Sequence, residues 1–140
     1  DFKDIDQEIE KELGMKISKI FETKGENYFR KIEEKITLKI LKNNKNIISL
    51  GGGAFLNQKI KKEILKNHIS FWLYWNPTTL IDRICNSTKR PVAYNATKTE
   101  LLDLIKKRSN TYSSALYKIN CENLSKDEIA KKILKIYETH

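Results

Sequence analysis

The stretch Asn46-Ile47-Ile48-Ser49-Leu50-Gly51-Gly52-Gly53 decides the fold. A short apolar run, too brief for a helix, passes straight into three glycines, and residues 58–67 then read as a helix. A strand that enters a helix through a junction stripped of side chains is a unit of an α/β fold. The run is predicted to be buried, as strands of parallel sheets are.

Working outward, the same alternation recurs. On the N-terminal side, Ile5, Ile9 and Leu13 lie four apart on one helix face, and Gly14 ends that helix. Ile17, Ile20 and Phe21 begin a second short helix that stops near Lys24-Gly25. A long amphipathic helix is predicted from Glu26 to about Leu41, with Phe29, Ile32, Ile36 and Ile40 inward, and the Asn43-Asn44 pair breaks it. On the C-terminal side, Ile69 to Trp75 is the clearest strand. Asn76-Pro77 turns the chain, with Thr78 or Thr79 as cap of a helix containing Leu80, Ile81 and Ile84. Residues 86–97 are polar and aperiodic, and read as a mobile loop. Helices at about Glu100 to Ser113 and Lys126 to Tyr137 follow, with a strand near Leu116 to Cys121 between them. The expected architecture is one α/β sandwich with a parallel sheet, a single domain over residues 1–140.

Bulk properties exclude several classes. Apolar residues make up 39% and charged residues 32% of the 140, which suits a globular chain rather than a disordered one. The longest apolar run falls far short of the roughly 20 residues of a membrane-spanning helix, so no membrane partner is expected. Cys85 and Cys121 stand alone, without metal or disulfide spacing, and read as reduced thiols of a cytoplasmic protein. The net charge of +9 raises the question of nucleic acid. Lys outnumbers Arg 23 to 4, and the lysines are scattered rather than clustered, so they read as solvated helix faces and no nucleic-acid partner is expected.

Three groups of residues carry chemistry. The four arginines are Arg30, Arg83, Arg90 and Arg108. In a chain so rich in Lys, an Arg belongs where a planar fork is needed to grip a carboxylate or phosphate, or to stack on a ring. Surface salt bridges are the plain alternative. Asp4 and Asp6, spaced i, i+2 at a strand end, share a face and suit a water-held magnesium ion or a hydroxyl proton; equally, acidic residues favour a helix start. Gly51, Gly52 and Gly53 let a ligand approach backbone N–H groups directly, or form a flexible turn.

In order and spacing, these residues resemble one family. Phe2-Lys3-Asp4-Ile5-Asp6, Ile9-Glu10, Gly25-Glu26-Asn27-Tyr28-Phe29-Arg30 with Glu33 behind, and Ser49-Leu50-Gly51-Gly52-Gly53-Ala54 resemble shikimate kinase. Phe71-Trp72-Leu73, Arg83, Arg90-Pro91, and Arg108 with Tyr112 extend the similarity over essentially the whole chain, and all four arginines fall on motif positions. The resemblance implies a three-layer α/β/α P-loop kinase fold and transfer of the ATP γ-phosphoryl to the 3-hydroxyl of shikimate, in chorismate and aromatic amino acid biosynthesis. It implies that Asp6 orients or deprotonates the attacking hydroxyl and that Asp4 holds Mg²⁺ through water. Arg30 and Arg108 would clamp the shikimate carboxylate beside Gly51, Gly52 and Gly53, with Glu33 fixing Arg30 from one turn on. Arg90 would be the lid arginine over ATP, and Arg83 would stack on adenine. Such roles suit phosphoryl transfer, which needs positioning and charge neutralisation more than covalent help.

One part of the family pattern is not found. No GxxxxGK[ST] motif occurs in the 140 residues, and the family's opening strand, Walker A loop and first helix have no counterpart. We therefore expect an N-terminally truncated chain, inactive by itself. It should also be less stable, since the strand belongs mid-sheet and the helix covers one of its faces. His68 and His140 read as incidental, and Trp72 and Trp75 as packing. A monomer is expected. The competing readings are a related small-molecule kinase, such as a gluconate kinase, and a non-catalytic shikimate-binding module.

Overall fold

In a computed structural model, residues 1–43, 45–86 and 96–140 are described. Strand β1 (Phe2–Asp4) leads directly into helix α1 (Ile5–Leu13), followed by α2 (Ile17–Lys24) and α3 (Glu26–Leu41). Strand β2 (Ile47–Ser49), a 3₁₀ turn (Ala54–Leu56) and α4 (Gln58–Asn67) come next. Strand β3 (Phe71–Tyr74), α5 (Pro77–Cys85), α6 (Lys98–Tyr112), β4 (Tyr117–Asn120) and α7 (Lys126–Thr139) complete the chain.

Local chemistry explains most boundaries. Gly14, at φ 63°, supplies the left-handed residue that closes α1. Gly25, at φ 85°, separates α2 from α3, with its N–H bonded to the Ile20 and Phe21 carbonyls. The Ser125 side chain and Glu128 form a reciprocal capping box on α7. Asn57 caps α4 by accepting from Lys59 N and Ile60 N. The α5 cap differs from the expectation. Neither Thr78 nor Thr79 caps the helix; Asn76 holds that position, with Pro77 at N1. Glu122, from the loop after β4, instead accepts from Asn76 N (3.0 Å) and from the Thr79 hydroxyl (2.6 Å).

The strands are parallel, as predicted, but they form two separate pairs rather than one sheet. β1 pairs with β2 (Phe2↔Ile47, Asp4↔Ser49), and β3 with β4 (Phe71↔Tyr117, Tyr74↔Asn120). Among the described residues β2 and β3 do not pair. This overturns the expectation of a buried β2, since Ile47 is 72% exposed, as is its β1 partner Phe2 at 65%. A two-stranded ribbon leaves its outer edges and part of its faces uncovered.

The core is correspondingly divided. Ile5, Ile9, Ile20, Phe29 and Ile36 pack together where α1, α2 and α3 meet. Each such side chain contributes about 1.5–3 kcal/mol by leaving water. Leu41, Ala54, Phe55, Ile60 and Ile64 form a second cluster under α4, which Tyr112 joins from α6. Ile81, Leu101 and Ile105 join α5 to α6, and Ile119, Cys121 and Ile129 seat α7 on β4. The inward face of α3 is rotated from the predicted stripe. Glu33, Thr37 and Leu41 are buried with Phe29 and Ile36, whereas Ile32 and Ile40 are only partly so. The helix packs against α1 on one side and α4 on the other, so its buried arc is wider than one stripe.

Candidate functional site

The segment after β2 gathers the charged residues. A methyl group built on each glycine locates its neighbours. At Gly51 it would stand 2.9 Å from Asp6 Oδ1 and 3.4 Å from Glu33 Oε2. At Gly52 it would stand 2.7 Å from Arg108 Nη1, and at Gly53 2.5 Å and 2.6 Å from the two terminal nitrogens of Arg30. Successive glycines therefore face an acidic pair, one guanidinium, then the other. Any side chain here would displace them, which is the physical reason for three glycines in a row.

Different elements supply these groups. Arg30 and Glu33 are one turn apart on α3, with Arg30 Nη1 2.9 Å from Glu33 Oε1, while Nε and Nη2 reach Glu26 Oε2 at 3.3 and 3.2 Å. Glu33 is 2% exposed. Burial pushes its carboxyl above the ordinary range, Arg30 pulls it back through hydrogen bond and charge, and neighbouring Asp6 pushes it up again. Arg108 enters from α6, and its Nε is buried without a hydrogen-bond partner among the described residues. Such a donor suits a ligand acceptor. Tyr112, one turn on, donates its hydroxyl to the Gly52 carbonyl, and its ring lies 6.0 Å from that of Trp72.

Asp4 and Asp6 are not arranged as the spacing suggested. Asp4 ends β1 and caps α1, its Oδ1 accepting from Asp6 N (3.0 Å) and Gln7 N (3.4 Å). Asp6 lies in the first turn of that helix, so the strand ends between the two and they share no strand face. Asp6 alone turns to the glycines. The Oδ2 of Asp4 takes no part in the cap, so one oxygen remains for the water shell of a cation. Among the described residues no group of three or more His, Cys, Asp or Glu forms a metal cage.

Arg83 is not part of this cluster. Its guanidinium lies 4.8 Å over the Trp75 ring, on the α5 side that Glu122 holds. Arg90, and with it the loop predicted over residues 86–97 for the most part, lies outside the described residues. Sequence reasoning missed Tyr112 as a partner of the glycine run, although its i+4 spacing from Arg108 was the available signal. Nothing in the sequence pointed to Glu122. Cys85 is exposed and Cys121 buried, both free thiols. His140 meets the Tyr117 hydroxyl at 2.8 Å. No described helix is long and apolar enough to cross a membrane.

Parallel strands linked by helices, with paired guanidinium groups over a glycine run, define an α/β protein of the P-loop kinase type, and solved structures agree. A shikimate kinase from Acinetobacter baumannii in complex with shikimate superposes with a TM-score of 0.92 at 28% identity, covering 99% of this chain and 79% of that one. Residues 1–138 match the shikimate kinase family model. Shikimate kinase of Bacillus subtilis is 38% identical over 140 residues, 96% of this chain and 73% of the relative. That of Bartonella henselae is 35% identical over 135 residues, and this chain spans 64% of its length. The chain belongs to the shikimate kinase family. As a kinase family, it takes its phosphoryl group from ATP.

Proposed function

We propose that this protein works as a shikimate kinase, moving the ATP γ-phosphoryl to the 3-hydroxyl of shikimate in the cytoplasm, as a monomer. The observation that carries this reading is the approach of Arg108 and Arg30 to adjoining glycines, Gly52 and Gly53. Two planar forks converging from α6 and α3 suit one carboxylate of a small, hydroxylated acid.

In this reading Arg30 and Arg108 bind the carboxylate, and Glu33 holds Arg30 in place. Asp6, beside Gly51, accepts the hydrogen of the attacking hydroxyl and orients its oxygen. Backbone N–H groups of the glycine run complete the pocket. Arg83 stacks on adenine and Arg90 steadies the phosphates. Mg²⁺, held through water by Asp4, would supply charge neutralisation on the transferring phosphoryl group.

The 140 residues contain no GxxxxGK[ST] loop and span 64–80% of the length of several relatives. The proposal therefore includes a strand, phosphate loop and helix upstream of Asp1. The exposed Ile47 and Leu73 (39%), on strands β2 and β3 that each lack a partner on one edge among the described residues, support a further strand between them. The missing loop also keeps a second reading in play, a module that binds shikimate without phosphorylating it. Shikimate-dependent ADP release, compared between this chain and one extended upstream through its native start, separates the two. Activity in the extended protein alone supports kinase and truncation together. No activity in a folded extended protein that still binds shikimate leaves the binding module.

A further inference from the structure

We infer that Tyr112 is a positioning residue of the substrate pocket, setting which way the Gly52–Gly53 peptide faces. This rests on the reading of the glycine run as the shikimate pocket.

The argument is geometric. The Tyr112 hydroxyl donates to the Gly52 carbonyl. In a planar trans peptide, the carbonyl of one residue and the N–H of the next point to opposite sides. Holding the Gly52 oxygen toward α6 thus turns the Gly53 N–H to the far side of the loop. Among the described residues neither the Gly52 nor the Gly53 N–H has a hydrogen-bond partner, while the Gly51 and Gly53 carbonyls accept from Ala54 N (3.1 Å) and Leu56 N (3.2 Å). Glycine offers little resistance to a flip of that peptide. A bond from outside the loop must choose between the two orientations.

Tyr112 is itself well held. Its ring packs with the Leu41, Ala54, Phe55, Ile60 and Ile64 cluster and lies against Trp72 of β3. It follows Arg108 by one helical turn, so α6 delivers both the guanidinium and the group that orients the backbone beside it. A methyl group on Gly52 would meet both, at 2.7 Å from Arg108 Nη1 and 3.7 Å from the Tyr112 oxygen. Tyr112 acts through the peptide, and no contact with substrate is assigned to it.

Tyr112→Phe tests the idea, because it keeps the ring and its packing and removes only the hydroxyl. The chain has five glycines, so ¹⁵N-glycine labelling gives a spectrum of five amide peaks at most. Gly14 and Gly25, away from the cluster, serve as internal controls for folding. Without ligand, the variant should displace the Gly53 peak and leave those of Gly14 and Gly25 in place. Titration with shikimate should move the Gly52 and Gly53 peaks of the parent, and the variant should bind about three- to tenfold more weakly, as for one lost orienting hydrogen bond. A Gly53 peak unchanged by the substitution overturns the role of Tyr112, as does equal shikimate affinity in parent and variant. If the variant displaces the Gly53 peak but shikimate moves no parent peak, Tyr112 still orients the loop and the substrate assignment is what fails.

Discussion

Arg108 Nη1 lies so close to Gly52 that a methyl group there would stand 2.7 Å away. The obstacle is the free end of a flexible side chain, so the backbone can tolerate the change while the guanidinium cannot hold its place. Gly52→Ala should therefore separate binding from stability. We expect the melting temperature to move by no more than about 2 °C, and shikimate affinity to fall at least about tenfold. A variant that binds normally would mean Arg108 is not fixed by this contact. Calorimetric titration and thermal denaturation read the two quantities.

Arg108→Lys keeps the charge and loses the fork. With a buried Nε lacking a partner, Arg108 is set up for a planar acceptor, and the substitution should weaken shikimate binding by roughly 1–3 kcal/mol. An effect below a few tenths would place Arg108 outside the pocket.

Glu33 makes a prediction about pH. Burial raises its carboxyl above the ordinary value of 4.5, so the folded state holds this proton more tightly than the unfolded state. Its contribution then favours folding in acid and is lost as pH rises from about 4.5 through the raised value. Glu33→Gln should remove that slope. Melting temperatures of the two proteins across pH 4 to 8 should show the parent losing ground to the variant as pH rises; parallel curves would count against it.

Glu122 runs the other way. The Thr79 hydroxyl first, then the Asn76 N–H and Arg83, hold its carboxyl below the ordinary range. The ionised form is the one that anchors α5, so this stabilisation is present above about pH 4.5 and lost as pH falls through the lowered value. Glu122→Gln should lower the melting temperature at pH 7, with the gap closing in acid. A gap that persists at pH 3 would show that charge is not what Glu122 contributes.

Much of this was legible in the sequence where local chemistry decides. Glu26–Leu41 is a helix with the predicted bounds, because Gly25 opens it and its apolar spacing persists to Leu41. Arg30, Arg108 and the glycine run could be singled out because arginine is scarce here and three glycines in a row are unusual. What stayed hidden depends on contacts between distant segments. The start of α5 is anchored by Glu122, far along the chain, and no helix-start rule reaches that far. The strand face expected to be shared by Asp4 and Asp6 fails for a subtler reason: strand and helix abut without a linker, so the strand period ends between them and the alternative, acidic residues at a helix start, describes the pair. The division of the strands into two pairs was equally invisible, since an apolar run does not record what lies along its edges.

That division has a consequence for cooperativity. Each strand pair closes a continuous stretch of chain, residues 2–49 in one and 71–120 in the other, so the molecule consists of two successive loops rather than interleaved ones. Asp6, Arg30 and Glu33 belong to the first, which runs straight on into the three glycines, and Arg108 and Tyr112 belong to the second. An anion held by both Arg30 and Arg108 ties one loop to the other at their junction. Ligand affinity is thereby also adhesion between halves, and saturating shikimate should merge their unfolding into a single, sharper transition.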